Sequence, residues 1–128
     1  MIHMKFITTQ THGFIDYAAG ILFIALPWML HINCAEPEGL VLIVLGFLTL
    51  IYSVLTNYEL GVLRILPMPL HLALDMISGL LLTFSPWILG FSEKIYLPHL
   101  ILGLFEILIA ILTKPETGYK TRWFDNDF

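Results

Sequence analysis

Four long apolar stretches are the feature that most constrains how this chain folds. The first is interrupted only by Asp16, the second carries no charge, and the other two hold two ionisable residues each. A bilayer core about 30 Å thick is crossed by about 20 helical residues, and each stretch reaches roughly that length with its flanks. None of them alternates strictly between apolar and polar residues, which disfavours strands. We therefore predict four membrane helices, near residues 11–30, 38–57, 69–91 and 95–113.

The composition supports a lipid-facing surface. Hydrophobic residues make up 58% of the chain, charged residues only 12%, and the mean hydropathy is +0.85. A soluble domain carries about 25% charged residues, so this chain has too few to cover a water-facing surface. Its net charge of −4, with no basic stripe, excludes a nucleic-acid-binding role. The expected partner is the lipid bilayer.

The basic residues predict an orientation. Five of the six lie at the N-terminus, in the middle joint or in the tail: Lys5, Arg64, Lys114, Lys120 and Arg122. Only Lys94 lies in the other two joints. The positive-inside rule then places both termini and the middle joint in the cytoplasm. Tyr58 is expected at the cytoplasmic interface, and Trp28 and Trp87 at the opposite one.

An internal repeat divides the chain into two copies. At a constant separation of 59 residues, His12, Asp16, Gly20, Pro27 and Trp28 recur as His71, Asp75, Gly79, Pro86 and Trp87. At a separation of 57, Gly46, Thr56, Glu59 and Gly61 recur as Gly103, Thr113, Glu116 and Gly118. Each copy holds an even number of helices, so the copies share one orientation and are related by an axis along the membrane normal.

The predicted fold is an all-α integral membrane four-helix bundle built from two tandem, same-orientation two-helix repeats. We assign one membrane domain over 1–128, with repeat 1 at about 5–61, repeat 2 at about 64–118 and a cytoplasmic tail at 119–128.

A short motif in the second copy adds a family resemblance. Ser85-Pro86-Trp87, followed by Ile88-Leu89-Gly90-Phe91, resembles the signature of the SPW-repeat family of small bacterial membrane proteins. The resemblance covers about residues 10–113, although the first copy has Leu26 in place of the serine. It implies two membrane helices per repeat, with the motif late in the first, and a bacterial inner-membrane location. It implies no activity.

Five ionisable residues are expected in the cytoplasmic half of the bundle: His12, Asp16, His71, Asp75 and Glu106. In each copy the histidine, the aspartate and a glycine step by four residues, so they share one helix face. Such a face should meet protein, because a charge facing lipid at a helix centre costs about 2.5–3.5 kcal/mol. Gly20 and Gly79 are expected where helix backbones approach closely. Tyr17, Thr49, Tyr52 and Ser53 could add hydroxyl groups to the cluster.

Three interpretations of this cluster stay open at the sequence level. The five residues could bind a divalent cation, a proton or a polar headgroup. They could be structural, in an accessory subunit of a larger membrane complex or in a homo-oligomer. His12 and His71 could also hold a haem between equivalent helices. The sequence contains no G-x-S-x-G, H-E-x-x-H, P-loop or dinucleotide motif, which favours a non-enzymatic protein. His31 and His99, near the outer helix ends, are expected at the membrane interface.

Overall fold

The computed structural model describes residues 4–117, which form four α-helices in chain order. They are α1 (Thr9–Met29), α2 (Pro37–Leu55), α3 (Met68–Ile88) and α4 (Leu97–Leu112). The order and number confirm the predicted bundle, and the observed ends lie within a few residues of the predicted ones. The proposed tail, 119–128, falls outside the described residues.

Local chemistry sets the helix ends. The Thr8 side chain caps α1 by accepting a hydrogen bond from the backbone N–H of Thr11 at 3.2 Å. The other three helices begin with proline in their first two positions, where no backbone donor is needed. Near the ends of α1 and α3, the carbonyl groups of Pro27 and Pro86 accept hydrogen bonds from the loops that follow.

Three helices are long and apolar enough to cross a membrane, namely α1, α2 and α3. The fourth is apolar but has only 16 residues, so it spans about 24 Å at 1.5 Å per residue. It is shorter than predicted because Pro98 lies at its start and Thr113 already has an extended backbone at its end. The short fourth helix still completes the bundle by packing along α3.

Close glycine contacts hold each helix pair together, as the sequence predicted. A Cβ atom on Gly20 would lie 3.1 Å from the backbone oxygen of Gly46, across the α1–α2 contact. A Cβ atom on Gly79 would lie 3.0 Å from the oxygen of Gly103, across the α3–α4 contact. Glycine therefore lets both pairs of backbones approach to the same small distance.

At one end of the bundle, backbone hydrogen bonds join the last helix of each repeat to the segment that precedes the first helix of the other repeat. The backbone N–H of Ile7, before α1, donates to the carbonyl of Leu112 at the end of α4 at 3.1 Å. The N–H of Leu66, before α3, donates to the carbonyl of Leu55 at the end of α2 at 2.9 Å. Each repeat therefore ends beside the segment that leads into the first helix of the other repeat, which brings the starts of α1 and α3 together.

The exterior of the bundle is apolar, and its interior combines a hydrophobic cluster with many polar groups. Large hydrophobic side chains such as Phe14, Ile21 and Ile77 are more than half exposed. Histidine, aspartate, threonine and serine side chains are among the most buried groups. An apolar exterior is stable in lipid and not in water, so the chain is an integral membrane protein.

The predictions for residues at the membrane interface have different outcomes. Trp28 and Trp87 are 61% and 51% exposed near the ends of α1 and α3, which fits interfacial anchors. The prediction for Tyr58 is wrong, because its side chain is fully buried and its ring lies 5.6 Å from that of His71. The loop between α2 and α3 folds back over the cluster and carries this tyrosine inward.

Candidate metal centre

The two copies of the His/Asp pair meet in one buried ring. His12, Asp16, His71 and Asp75 each offer one ligand atom, and these four atoms lie within 4.8 Å of one another. Both histidines are fully buried, and the aspartates are 4% and 1% exposed. The α1 and α3 starts position them, since each pair occupies the first two turns of its helix.

The shortest contacts in the ring cross between repeats. His12 Nε2 lies 2.8 Å from Asp75 Oδ2, and His71 Nε2 lies 2.6 Å from Asp16 Oδ2. The contacts within each helix, four residues apart, are longer, at 3.0 and 3.3 Å. The histidine–aspartate pairs are therefore not merely local helix contacts, because each imidazole lies closer to the aspartate of the opposite repeat than to the aspartate of its own helix.

A threonine from each repeat orients one imidazole. His12 Nδ1 lies 2.7 Å from Thr113 Oγ1, and His71 Nδ1 lies 2.8 Å from Thr56 Oγ1. Both hydroxyls donate their own proton to a backbone carbonyl four residues earlier, each at 2.6 Å. Each threonine oxygen must therefore accept, so both Nδ1 atoms carry a proton. The two Nε2 atoms are left to face the carboxylates.

This arrangement is the one that metal-binding histidines commonly use. A ligating imidazole typically donates its second N–H to an oxygen, which fixes the tautomer and the ring orientation. The electrostatics agree, because two carboxylates and a divalent cation cancel, as do two carboxylates and two imidazolium groups. The ring therefore needs either a cation or two added protons, since neutral Nε2 lone pairs would repel the aspartate oxygens.

Tyr52 breaks the symmetry of the ring. Its hydroxyl donates to Asp75 Oδ1 at 2.5 Å, and Thr49 contacts the same hydroxyl at 3.3 Å. The position equivalent to Tyr52 in the second repeat is Ile109, which offers no hydrogen bond. Asp75 is therefore held on both oxygens, one by the ring and one by α2. Tyr52 and Thr49 thus supply hydroxyls near the cluster, as the sequence suggested.

Glu106 lies near the ring but outside it. Its side chain is buried, at 8% exposed, yet among the described residues the ligand atoms that converge come only from His12, Asp16, His71 and Asp75. Its Oε2 atom has no hydrogen-bond partner within residues 4–117. The structure therefore brings together four of the five predicted site residues and leaves the fifth further along α4.

Sequence reasoning missed the two threonines and misplaced one histidine. Thr56 and Thr113 were visible only as a repeat match at a separation of 57, with nothing to show that they face the histidines. His99, expected at the interface, is fully buried, and its Nε2 donates to the backbone oxygen of Glu38 at 2.8 Å. Three of the residues that recur between the copies, His, Asp and Thr, build the ring.

A haem between the histidines does not fit this geometry. The two imidazole rings are edge to face, with centroids 5.2 Å apart. Carboxylate oxygens lie 2.6–3.3 Å from both Nε2 atoms, in the space that a porphyrin would occupy. The four ligand atoms lie within 4.8 Å of one another, which leaves a space much smaller than a porphyrin.

The fold and the ring together define a class: a small membrane-embedded helical bundle of two tandem repeats with a polar centre between them. The model for the SPW repeat domain matches residues 10–113. The chain belongs to this family. No curated protein and no solved structure matches the chain.

Proposed function

We propose that this protein is a non-enzymatic membrane protein that binds one divalent transition-metal ion between its two repeats. His12 and His71 would each supply Nε2, and Asp16 and Asp75 would each supply a carboxylate oxygen. The observation that carries the proposal is the fixed tautomer, because the threonines hold both Nδ1 protons away from the ring. Two free imidazole nitrogens facing two carboxylates are a donor set suited to Zn²⁺ and similar ions.

The spacing of the ring supports this proposal. Ligand bonds to Zn²⁺ are about 2.0–2.2 Å, so neighbouring ligand atoms of a tetrahedral site lie about 3.3–3.6 Å apart. The four nitrogen–oxygen separations are 2.6, 2.8, 3.0 and 3.3 Å. Side-chain shifts that widen the shortest separation by about 1 Å or less would therefore admit a tetrahedral ion. A polar headgroup is a poorer occupant, since all four side chains are buried.

A second candidate function is structural. The same separations suit two imidazolium–carboxylate pairs that lock the repeats together without any ion. In that case the protein would be a scaffold or an accessory subunit of a membrane complex. Removing the carboxylates would then reduce stability and change no binding.

Metal titration separates the two candidates. We expect the purified full-length protein to bind one Zn²⁺ per chain by isothermal titration calorimetry, with the stoichiometry checked by elemental analysis. The Asp16→Asn/Asp75→Asn double variant should bind at least 100-fold more weakly. Glu38→Gln, which alters a buried carboxylate at the other end of the bundle, should bind as the wild type does.

The result that would contradict the metal proposal is a wild type that binds neither Zn²⁺, Mn²⁺ nor Cu²⁺. If the double variant were also less stable than the wild type, the structural candidate would replace it.

We also infer that both termini face the cytoplasm, which the distribution of basic residues supports. Lys5, Arg64 and Lys114 lie at the end of the bundle where α1 and α3 begin, and Lys94 lies at the opposite end. The ring would then lie in the cytoplasmic half of the membrane. The inner-membrane location and a homo-oligomeric state stay predictions.

A further inference from the structure

The ring lies close to one end of the bundle and far from the other. His12 and His71 are each in the first turn of their helix, so about 4.5 Å of helix separates them from its start at 1.5 Å per residue. Toward the opposite end, both helices continue for about 26 Å by the same rise. A hydrophobic cluster that includes Phe23, Leu42 and Leu82 fills that part of the interior. A small solute therefore reaches the ring from the end where α1 and α3 begin.

The loop between α2 and α3 covers the ring at this end. Its residues 58–61, which we call the tip, contact both helices that carry the histidines. The Tyr58 side chain is fully buried, and its ring centroid lies 5.6 Å from that of His71 in α3. A Cβ atom on Gly13 in α1 would lie 2.7 Å from Leu60 Cδ1 and would also collide with the Tyr58 ring. The tip therefore closes the space between the starts of the two helices.

Backbone hydrogen bonds fix the base of this loop. The N–H of Asn57 donates to the carbonyl of Leu66 at 2.8 Å, which closes the loop on itself. The N–H of Val62 donates to the carbonyl of Val54 in the last turn of α2, also at 2.8 Å. Local opening breaks the weakest contacts of a structure first. An opening of this loop is therefore confined to the tip, between the two fixed points.

Two side-chain hydrogen bonds hold the tip against α1. Thr9 Oγ1 donates to Glu59 Oε2 at 2.6 Å, and we call this bond the latch. The Tyr17 hydroxyl donates to the carbonyl of Leu60 at 2.9 Å. A hydrogen bond to a carboxylate is stronger than one between neutral groups, so the latch is the stronger of the two. Glu59 is partly exposed, so water can replace Thr9 as its partner when the latch breaks.

The tip and its contacts depart from the internal repeat, although the ring follows it. The positions equivalent to Thr9, Gly13, Tyr17 and Tyr58 in the second copy are Met68, Leu72, Met76 and Pro115. Methionine, leucine and proline side chains have no hydroxyl to donate. Glu59 recurs as Glu116, which is exposed. The second copy thus keeps the carboxylate without the threonine of the latch, and the cover over the ring belongs to the first copy.

We propose that the tip is a gate through which small solutes reach the ring, and that the latch keeps this gate closed. When the latch breaks, the tip moves away from α1 while the base of the loop stays in place, and Tyr58 leaves the space beside His71. For a metal ion, the gate sets the rates of entry and release, and this part of the inference rests on the proposed function. The gate does not set the affinity, because the tip supplies no ligand and both rates change by the same factor.

The test is the reactivity of a buried histidine in the metal-free, full-length protein, held in detergent micelles with EDTA. Diethyl pyrocarbonate modifies accessible imidazole nitrogens, and mass spectrometry of peptides gives the rate for each histidine. A fully buried group reacts only from an opened state, so its rate follows the population of that state. We expect Glu59→Ala to raise the rate at His71 at least fivefold relative to the rate at His31, which is exposed.

The repeat supplies a matched control. Glu116→Ala removes the same side chain at the equivalent position of the second copy and should leave the rate at His71 unchanged. His99 is fully buried near the opposite end of the bundle and should keep its wild-type rate in every variant. If Glu59→Ala fails to fold, as judged by gel filtration and helical circular dichroism, Thr9→Val replaces it and should have the same effect.

Zinc exchange tests the gate in the loaded protein. Glu59→Ala should release Zn²⁺ into excess EDTA at least fivefold faster than the wild type, while its Kd by calorimetry stays within threefold. A wild type that binds no Zn²⁺ would contradict the proposed function alone, because the histidine assay needs no metal.

The gate would be overturned by a folded variant without the latch in which His71 reacts as in the wild type, or which releases Zn²⁺ at the wild-type rate. An equal increase at His71 and His99 would also overturn it, since that result means that the whole bundle has loosened.

Discussion

Replacing the Thr113 hydroxyl tests how the centre is built. In the Thr113→Val variant the side-chain shape is nearly kept, but the oxygen 2.7 Å from His12 Nδ1 is lost. Thr113 is fully buried, so no water replaces it easily. A buried donor left without a partner costs about 1–3 kcal/mol. We expect the free energy of unfolding to fall by that amount.

The same change should weaken metal binding. Losing the group that orients a ligating histidine typically costs 10–100-fold in affinity, or about 1.4–2.7 kcal/mol. The Thr56→Val variant should have a similar effect, because Thr56 holds His71 as Thr113 holds His12. Isothermal titration calorimetry with Zn²⁺ and denaturant unfolding followed by circular dichroism measure the two effects.

Thr11→Val is the matched control, since Thr11 is exposed and lies next to His12 in the chain without touching the ring. It should change neither quantity measurably. If Thr113→Val bound Zn²⁺ within threefold of the wild type and lost less than about 0.5 kcal/mol of stability, below the range for an unpaired buried donor, the assignment of the Nδ1 protons would be refuted.

Three further predictions concern the backbone, the packing and the orientation. His31 has a φ of 55°, where its repeat equivalent is Gly90 with a φ of 76°, so His31→Gly should stabilise the protein by about 1 kcal/mol in denaturant unfolding; a loss of stability would contradict this. Gly46→Ala should destabilise the protein by about 1–3 kcal/mol in the same assay, because its Cβ atom would lie 2.8 Å from the oxygen of Gly20; unchanged stability would refute the close contact. Cys34, the only cysteine, lies partly exposed between α1 and α2, so a membrane-impermeant maleimide should label it from outside intact cells; labelling only after lysis would reverse the orientation.

Much of the fold was predictable because it depends on composition and repetition. Apolar stretches bounded by proline and polar joints gave the number and order of the helices. The glycines at equivalent positions predicted the close contacts, since glycine matters wherever two backbones meet. The length of α4 was overestimated because the apolar run continues as far as Thr113, whereas the backbone at Thr113 has left the helix and pairs with Ile7. That pairing joins residues far apart in sequence.

The site was predictable in its members and not in its connections. A shared helix face identified His12 and Asp16 as a buried pair, but a periodic pattern does not show which helix lies opposite. The contacts that cross to His71 and Asp75 depend on the hydrogen bonds that join the end of each repeat to the start of the other. The role of Thr113 depends on the same hydrogen bonds, because Thr113 lies 101 residues from His12 in the chain.

The symmetric and asymmetric residues of this protein serve different parts of the molecule. Histidine, aspartate and threonine, present in both copies, must be symmetric because the ring requires two identical halves that meet at the axis. If the α1–α2 contact were polar as well as the α3–α4 contact, more polar groups would be buried, and each one left unpaired would cost about 1–3 kcal/mol. Ser78, Thr83 and Glu106 are buried on α3 and α4, while the hydrophobic cluster that includes Phe23 and Leu42 supplies packing between α1 and α2.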